Sequence, residues 1–327
     1  FDLEEFGSNA REESLYFIIL FFGIFQIIIS LQNFFQPVIE LKNGKIALRT
    51  KQKILSVVKP INEIIEIKES EDFTLTFVFQ DSSYDVISKY LENDQLNIIL
   101  SEMPEINKYV VAIGGGGFTH ETDRSLDDFL FEVVDKKNIN FGFLGTASLD
   151  DNKKIKLFYK RFKGSKYSLS HFNLYTSVEG FKDWMQTKDI VYVGGGNTYR
   201  MIQFWKKNKL LKVFENAYER GVVLCGVSAG AICWFDRLLT NSKNGMFEET
   251  KGLGFIKYSC TPHTSSEPQR LDIFKKKVKF GILQPGFAID DGVALLFVNG
   301  KFKKVFSSRA NHSGYFISKS GIKNLEE

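Results

Sequence analysis

The sequence predicts an α/β domain built on a parallel sheet, with a smaller β-rich domain and an apolar segment before it. The main observation is that three apolar runs, rich in β-branched residues, each end in a glycine-rich turn. In open α/β sheets, turns at the carboxyl ends of strands are where ligands bind, so we expect the three turns to converge on one crevice. The pairs of run and turn are Tyr109–Ile113 with Gly114–Gly117, Ile190–Val193 with Gly194–Thr198, and Gly221–Cys225 with Gly226–Gly230.

The first element along the chain is an uncharged apolar segment, Leu15–Leu31, and the uncharged stretch continues to Val38. It is long enough for the roughly 20 residues that span a bilayer, and it is apolar all round. Acidic residues precede it and basic residues follow it, which predicts that the carboxyl-terminal side is cytoplasmic. We therefore expect a transmembrane helix and its flank over residues 1–35. A buried core helix and a signal peptide are the alternatives, although no cleavage site marks the latter. Because the chain begins with Phe1, the loss of a preceding span is also compatible with the sequence.

Residues 36–103 predict a small β-rich domain. The segment Val38–Arg49 alternates apolar and polar residues around Asn43-Gly44, the strongest short signal for a β-hairpin. Strands followed by one helix, after a membrane span, resemble the small pleckstrin-homology-like domains of bacterial membrane proteins. The further strands, the helix and a linker are predicted at Ile64–Lys68, Phe73–Phe79, Val86–Leu100 and Ser101–Asn107.

The most informative motif is Gly226-Val227-Ser228-Ala229-Gly230, which lies between an apolar run and a helix-like segment, Ala231–Phe235. Strand, sharp turn and helix are the context in which G-x-S-x-G forms a nucleophile elbow. Small neighbours let the serine backbone take a strained turn and present Oγ to a substrate. A glycine-rich turn that only packs closely is the alternative. Neither of the other glycine runs fits a phosphate-binding signature, which argues against a nucleotide site.

A serine nucleophile needs a neutral imidazole as its base, and the chain has four histidines. His263 is the best candidate, since it follows a predicted strand and comes after the serine in chain order, as in other α/β hydrolytic elbows. A loop histidine without a role is the alternative. His120, just past the first glycine run, is expected to line the pocket, whereas His171 and His312 are expected at the surface.

Four motifs follow one another along the chain: Val193–Thr198, Gly226–Phe235, Pro262-His263 and Ala288–Gly292. Together they resemble the peptidase E branch of the S51 serine peptidases, a family that also contains aspartyl dipeptidases and cyanophycinases. The resemblance covers roughly Lys108 to Lys319 and implies a catalytic domain over 104–327. It also implies a flavodoxin-like parallel sheet wrapped by helices, related to class I glutamine amidotransferases. Those enzymes carry a cysteine at the elbow, where this chain has Ser228.

The resemblance leaves the acid of the triad open. In the aspartyl dipeptidase branch an acid lies between the serine and the histidine, but the matching segment here, Leu239–Asn244, has no carboxylate. Other members use an acid from a later strand turn, where this chain has Asp290 and Asp291. Asp291 matches the cyanophycinase-type position, and an acid there would hold the imidazole tautomer and stabilise the imidazolium. We assign Asp291, with Asp290, no acid at all, or Glu248 and Glu249 as alternatives.

The family likeness also implies the oxyanion hole, and neighbouring residues are candidates for substrate binding. Backbone N–H groups of Ala229 and of Gly195 or Gly196 are the expected oxyanion hole, because fixed donors aimed at developing charge need no reorganisation. Asn197 is expected to fix its turn or to contact the substrate. An acidic side chain or free carboxylate of the substrate needs a cation nearby. Arg270, which follows His263, is the expected one, and Arg200 follows the Asn197 turn; an ordinary surface arginine is the alternative.

Composition sets limits on the function. A net charge of +4, dispersed along the chain, predicts no nucleic-acid partner. Three cysteines and no zinc-type spacing predict neither a disulfide framework nor a metal site, and the chemistry needs no cofactor. We expect a serine peptidase that acts on short peptides at the cytoplasmic face of a membrane. The alternative is an inactive module that binds a peptide or metabolite and signals through the membrane segment. Assembly into a homo-oligomer stays open.

Overall fold

A computed structural model of the chain divides it into two compact units, Phe1–Glu105 and Ile106–Glu327. Within the part of the chain that the structure describes, no helix is long and apolar enough to cross a membrane. The predicted span Leu15–Leu31 lies outside the described residues, apart from Ile24. The described residues are 24, 39–42, 45–48, 57–60, 64–69, 74–79, 82–87, 106–134, 136, 138–165 and 167–325.

The first unit contains two three-stranded antiparallel sheets in its described residues. The predicted hairpin is confirmed, since residues 39–42 pair antiparallel with residues 45–48 and Lys42 lies opposite Lys45. The helix predicted from Val86 is wrong at its start. Val86 lies in a strand opposite Leu75, and burial of its side chain in the sheet outweighs the helical spacing; residues 88–100 lie outside the described part. The strands are β1 (Ile39–Lys42), β2 (Lys45–Leu48), β3 (Val57–Pro60), β4 (Ile64–Glu69), β5 (Thr74–Phe79) and β6 (Ser83–Ile87).

The second unit alternates strands and helices as the sequence predicts. Its first half comprises β7 (Tyr109–Ile113), α1 (Arg124–Glu132), β8 (Asn140–Leu144), α2 (Asn152–Phe162), β9 (Ser168–Phe172), α3 (Phe181–Gln186), β10 (Ile190–Val193), α4 (Thr198–Lys207), α5 (Leu211–Glu219) and β11 (Val223–Val227). Its second half comprises α6 (Ala229–Ile232), β12 (Phe235–Thr240), β13 (Glu248–Lys251), β14 (Ile256–Thr261), α7 (Pro268–Lys279), β15 (Gly286–Ile289), β16 (Val293–Val298), β17 (Lys301–Ser307), β18 (Gly314–Ser318) and β19 (Gly321–Asn324).

The central sheet has seven strands in the order β17-β16-β7-β11-β10-β8-β9. The five strands β7 to β11 are parallel, and β16 and β17 continue the sheet antiparallel. The order of the parallel strands resembles that of flavodoxin, 2-1-3-4-5. Counted from the β9 edge, the first four positions are occupied by β9, β8, β10 and β11. The fifth position is occupied by β7, which comes before the other four strands in the chain. The carboxyl ends of β7, β10 and β11 therefore meet at one edge, and each of these strands leads into a glycine-rich turn.

Both faces of this sheet are buried, because alternate residues of a strand point to opposite faces. In β7, Val110 and Ala112 belong to a core shared with residues of the second sheet. Val111 and Ile113 belong to a core covered by α1 and α2. Continuous apolar strands of this kind are rigid supports, so the turns at their ends are held in place.

A second sheet, in addition to the predicted parallel sheet, contains the strand that leads to His263. It has six strands, ordered β13-β12-β14-β15-β18-β19, of which β12, β14 and β15 are parallel. The helix predicted over Ala231–Phe235 ends at Ile232, and Phe235 already begins β12. A return to the central sheet as a parallel strand needs a crossover of a dozen or more residues. The four-residue helix α6 is too short for this, so the chain enters a new sheet.

Candidate active site

Ser228 occupies a strained turn between β11 and α6. Its backbone has φ 56° and ψ −112°, a region that residues with a side chain rarely adopt. Both glycines of the motif lie against the backbone of β10: a methyl group on Gly226 or on Gly230 would overlap the Val193 carbonyl oxygen. The backbone thus has the shape expected of the predicted elbow, and the close approach of two strands explains why both positions are glycine. The Ser228 side chain is only half-buried, so a substrate can reach it.

His263 joins the serine to a carboxylate. Its Nε2 lies 2.8 Å from Ser228 Oγ, and its Nδ1 lies 2.6 Å from Asp291 Oδ1. Because a carboxylate only accepts hydrogen bonds, Nδ1 carries the proton and Nε2 is left to accept the serine proton. This is the tautomer that a general base needs. We refer to these three side chains as the Ser–His–Asp chain.

The carboxylate of Asp291 is held ionised by its neighbours. Although burial by itself raises the pKa of Asp291, hydrogen bonds donated by His263, Ser266 and Ser265 hold it well below its usual range. Ser265 Oγ donates to Asp291 Oδ2 over 3.1 Å and accepts the Asp291 N–H over 3.0 Å. Ser265 thus fixes both the side chain and the backbone of the acid. The ion is maintained at every pH at which an imidazole base is neutral.

Asp290, the alternative acid, has other partners. Its side chain is 4% exposed, and its hydrogen bonds go to residues other than His263. It accepts hydrogen bonds from Thr264 Oγ1 (2.7 Å), Ser313 N (3.0 Å) and Tyr315 OH (3.1 Å). Asp290 therefore ties the loop after His263 to strand β18. Glu248 and Glu249 lie elsewhere, on β13, and contact Asn244 and Lys277 respectively.

The glycine-rich turns converge on the Ser–His–Asp chain, as the sequence predicts. A methyl group on Gly115 would overlap Asp291 Oδ1 and lie 2.9 Å from His263 Nδ1. One on Gly195 would lie 3.2 Å from Ser228 Cβ. The absence of side chains at these turns therefore makes the room that the histidine, the acid and the serine occupy.

Two groups of amide N–H donors border the serine. The N–H of Ala229 is the first of α6, and within the described residues it has no acceptor. The N–H groups of Gly195 and Gly196 likewise have none there, whereas their neighbours Gly194 and Asn197 donate to Leu144 O and Ala147 O. Unshielded backbone donors beside a nucleophile can stabilise a developing oxyanion.

Comparison with known proteins shows the family of the chain. Residues 110–305 match the model of the family described as peptidase family S51. The chain belongs to this family. It is 36% identical over 212 residues to the uncharacterized peptidase YgaJ of Bacillus subtilis (strain 168), a match that covers 64% of this chain and 92% of that protein. The chain is accordingly a serine-type peptidase.

Two solved structures resemble the S51 peptidase. A crystal structure of a peptidase from an acI-B1 Actinobacterium has a TM-score of 0.52 at 14% identity, covering 68% of this chain and 95% of that one. It shows that the fold is shared. A putative peptidase E protein from Listeria monocytogenes EGD-e has a TM-score of 0.47 at 17% identity, covering 67% of this chain and 100% of that one.

The predicted substrate-binding residues of this S51 peptidase have other contacts. Asn197 caps α4: its Oδ1 accepts the Arg200 N–H over 2.8 Å, and its Nδ2 donates to Ser242 O over 2.6 Å. It therefore fixes its turn, and its amide group is already engaged. His120 is exposed, and its Nδ1 lies 3.1 Å from Gly116 O within its own turn.

Arg270, the predicted cation for a substrate carboxylate, is buried. It is 3% exposed, pairs with Glu267 over 2.9 Å, and lies over the Phe247 ring. Burial lowers the pKa of its guanidinium, which the Glu267 carboxylate counteracts. In this arrangement Arg270 supports the start of α7 beneath the His263 loop.

Sequence reasoning missed three residues around the site. Ser265 holds the acid, and His312, expected at the surface, donates from Nδ1 to Asp291 O over 2.7 Å. Lys154 donates from Nζ to Gly195 O over 2.7 Å. The only sequence signal was the position of Ser265 two residues after His263. His312 and Lys154 are brought in from distant parts of the chain and carry no local motif.

Possible metal ligands and thiols complete the description. Among the described residues no group of three or more His, Cys, Asp or Glu side chains is arranged to hold a metal ion. Cys225 and Cys233 are buried, and burial raises the pKa of both thiols well above the usual range. Both behave as small core residues, as the sequence predicts.

Proposed function

We propose that this chain hydrolyses short peptides in the manner of peptidase E, with Ser228 as nucleophile, His263 as general base and Asp291 as the orienting acid. One observation carries the proposal: an unbroken hydrogen-bonded chain from Ser228 Oγ through the His263 ring to Asp291 Oδ1. It lies on a strained elbow with free backbone donors beside it. Membership of the S51 family supports peptides as the substrate class.

The first chemical step follows from the tautomer. Ser228 Oγ attacks the scissile carbonyl carbon while His263 Nε2 takes the hydroxyl proton. Asp291 stabilises the imidazolium that forms but stays ionised itself. His263 then returns the proton to the leaving amine, so that the C–N bond breaks and an acyl-serine is left. Water, deprotonated by the same imidazole, hydrolyses that ester and regenerates Ser228.

The charge that develops on the carbonyl oxygen needs fixed donors. The N–H of Ala229 and that of Gly195 or Gly196 are free within the described residues and border Ser228 from two loops. Loss of one such donor costs about 10²- to 10³-fold in kcat in comparable hydrolases. These backbone groups therefore supply a large part of the expected rate enhancement.

The proposal includes a location. The apolar run Leu15–Leu31, with acidic residues before it and basic residues after it, supports a membrane anchor with the catalytic unit on the cytoplasmic side. The antiparallel sheets of residues 36–103 would then be a pleckstrin-homology-like module close to that membrane. Its lysines would meet anionic headgroups.

The test is covalent labelling of the full chain with a fluorophosphonate, in which serine Oγ bonds to phosphorus and fluoride leaves. We expect the wild type to be labelled and Ser228→Ala to be neither labelled nor active on a dipeptide library with varied first residues. Ser320→Ala, at an exposed serine in the turn between β18 and β19, is the control and should still be labelled. A folded wild-type chain that resists the probe would support the inactive, ligand-binding alternative.

A further inference from the structure

Helix α2 directs one of its lysines into the active-site loop. Lys154 Nζ donates a hydrogen bond of 2.7 Å to the carbonyl oxygen of Gly195, the residue that packs against Ser228. Lys153 and Lys156, its neighbours on the helix, are exposed, whereas Lys154 is half-buried. The helix is fixed in turn by its buried residues Ile155 and Phe158. The ammonium group therefore reaches the loop from a rigid support.

The bond determines which way one peptide unit faces. A trans peptide is planar, so the carbonyl of Gly195 and the N–H of Gly196 point in opposite directions. With the carbonyl held by Lys154, the Gly196 N–H is turned away from α2. The flanking amides Gly194 and Asn197 are already tied to Leu144 O and Ala147 O over 2.9 and 2.8 Å. The lysine therefore holds the Gly195–Gly196 peptide, which lies between these two tied amides, in one orientation.

Without that bond the peptide would be free to rotate. Gly195 and Gly196 have no side chains, and Gly196 adopts φ 150°, a conformation that L side chains rarely take. A flipped peptide would aim a carbonyl oxygen, instead of an N–H, at a developing negative charge. The fixed orientation is therefore what makes this glycine pair suitable as a donor.

The charge of Lys154 is not used elsewhere. Among the described residues no carboxylate lies within ion-pair distance of its Nζ, and Asp151 exerts only a longer-range attraction. Burial lowers the pKa of the ammonium. A half-buried cation without a carboxylate partner is costly, and a hydrogen bond from a charged donor to a carbonyl is among the stronger ones in proteins.

We propose that Lys154 is a positioning residue for the oxyanion hole, holding the Gly195 carbonyl away from the reacting carbonyl so that the Gly196 N–H faces it. The assignment rests on the proposed function and deepens it. It selects Gly196, together with Ala229, as the donor pair. Lys154 itself touches no reacting atom.

The experiment compares Lys154→Met, Lys154→Arg and the matched control Lys156→Met in the full chain. Two quantities are measured for each: the rate constant of labelling by a fluorophosphonate, and kcat and KM for a dipeptide that the wild type cleaves. Phosphonylation places negative charge on a phosphoryl oxygen in the same hole, so it reports the donors without depending on substrate binding.

For Lys154→Met we expect both the labelling rate and kcat to fall about 10- to 100-fold, less than the loss of a whole donor, with KM within about twofold. Lys154→Arg should recover part of the loss, because a cationic donor returns. Lys156→Met should match the wild type, and thermal unfolding should show all three variants folded.

Different outcomes distinguish the two proposals. A wild-type chain that labels readily while Lys154→Met labels equally fast overturns the positioning role alone. An unchanged kcat with a raised KM also overturns it, since Lys154 would then bind substrate. A folded wild-type chain that neither labels nor cleaves overturns the proposed function, and the positioning role with it.

Discussion

The substitution Asp291→Asn removes one negative charge from the Ser–His–Asp chain while hardly changing its volume. The Asp291 oxygen lies 2.6 Å from His263 Nδ1, which puts the centres of the two charges about 4 Å apart in the imidazolium state. The two side chains are 13% and 20% exposed, so solvent screens the pair only in part. The substitution therefore removes a negative charge that stabilises the imidazolium of His263 in the transition state.

The magnitude follows from that separation. At an effective dielectric constant near 20, two unit charges 4 Å apart attract by about 4 kcal/mol, which corresponds to about 10³-fold in rate. An asparagine whose amide faces Nδ1 would also favour the wrong tautomer, and this raises the expected loss to about 10⁴-fold. We expect kcat to fall by about 10³ to 10⁴ with KM little changed, because His263 stands between Asp291 and the serine nucleophile.

Asp290→Asn is the matched control, one residue away and equally conservative. Asp290 accepts three hydrogen bonds from neutral groups of residues other than His263. Its replacement should lower the free energy of unfolding by about 1–3 kcal/mol and leave most of kcat intact. Kinetics on the dipeptide series and chemical denaturation measure both quantities. Equal losses of kcat in the two variants, or more than about a tenth of wild-type activity in Asp291→Asn, would refute the assignment.

Other perturbations test the elbow, an ion pair and the location. In Gly230→Ala the added methyl group has no room against strand β10. We therefore expect the free energy of unfolding to fall by about 1–3 kcal/mol and the serine to be unlabelled. A stable, fully labelled variant would contradict the close packing. A hydrogen bond from Arg309 holds the pKa of Asp123 at about 2. The ion pair of these two side chains therefore stabilises the fold by at most about 2 kcal/mol. This stabilisation is full above pH ~4 and is lost as the pH falls through 2. The stability deficit of Arg309→Met should therefore shrink as the pH falls from about 4 and vanish below the Asp123 pKa of about 2, and a deficit that persists there would show a packing effect. The full chain should sediment with membranes and resist carbonate, whereas residues 107–327 should be soluble and active; release of the full chain by salt alone would contradict an anchor over Leu15–Leu31.

The sequence by itself determined the elements whose signals are local. Strands β7 and β10 begin and end where the apolar runs do. β-Branched residues favour a strand, and the glycines that follow end it, whichever elements the strand packs against. The strand–turn–helix shape around Ser228 could also be predicted from the sequence, since its two glycines, its serine and the preceding strand are contiguous in the chain. The Asn43-Gly44 hairpin follows from turn chemistry that needs no partner beyond its own strands.

Tertiary structure alone decided what depends on distant partners. Asp290 and Asp291 are both polar residues at the end of β15, and neighbouring side chains there point to opposite sides. Which of them faces His263 depends on how the second sheet meets the first, and no local pattern encodes that. The same holds for the second sheet itself, for His312 behind the acid, and for Lys154 at the Gly195 carbonyl. Each is a contact between segments far apart in the chain, fixed by packing rather than by the residues nearby.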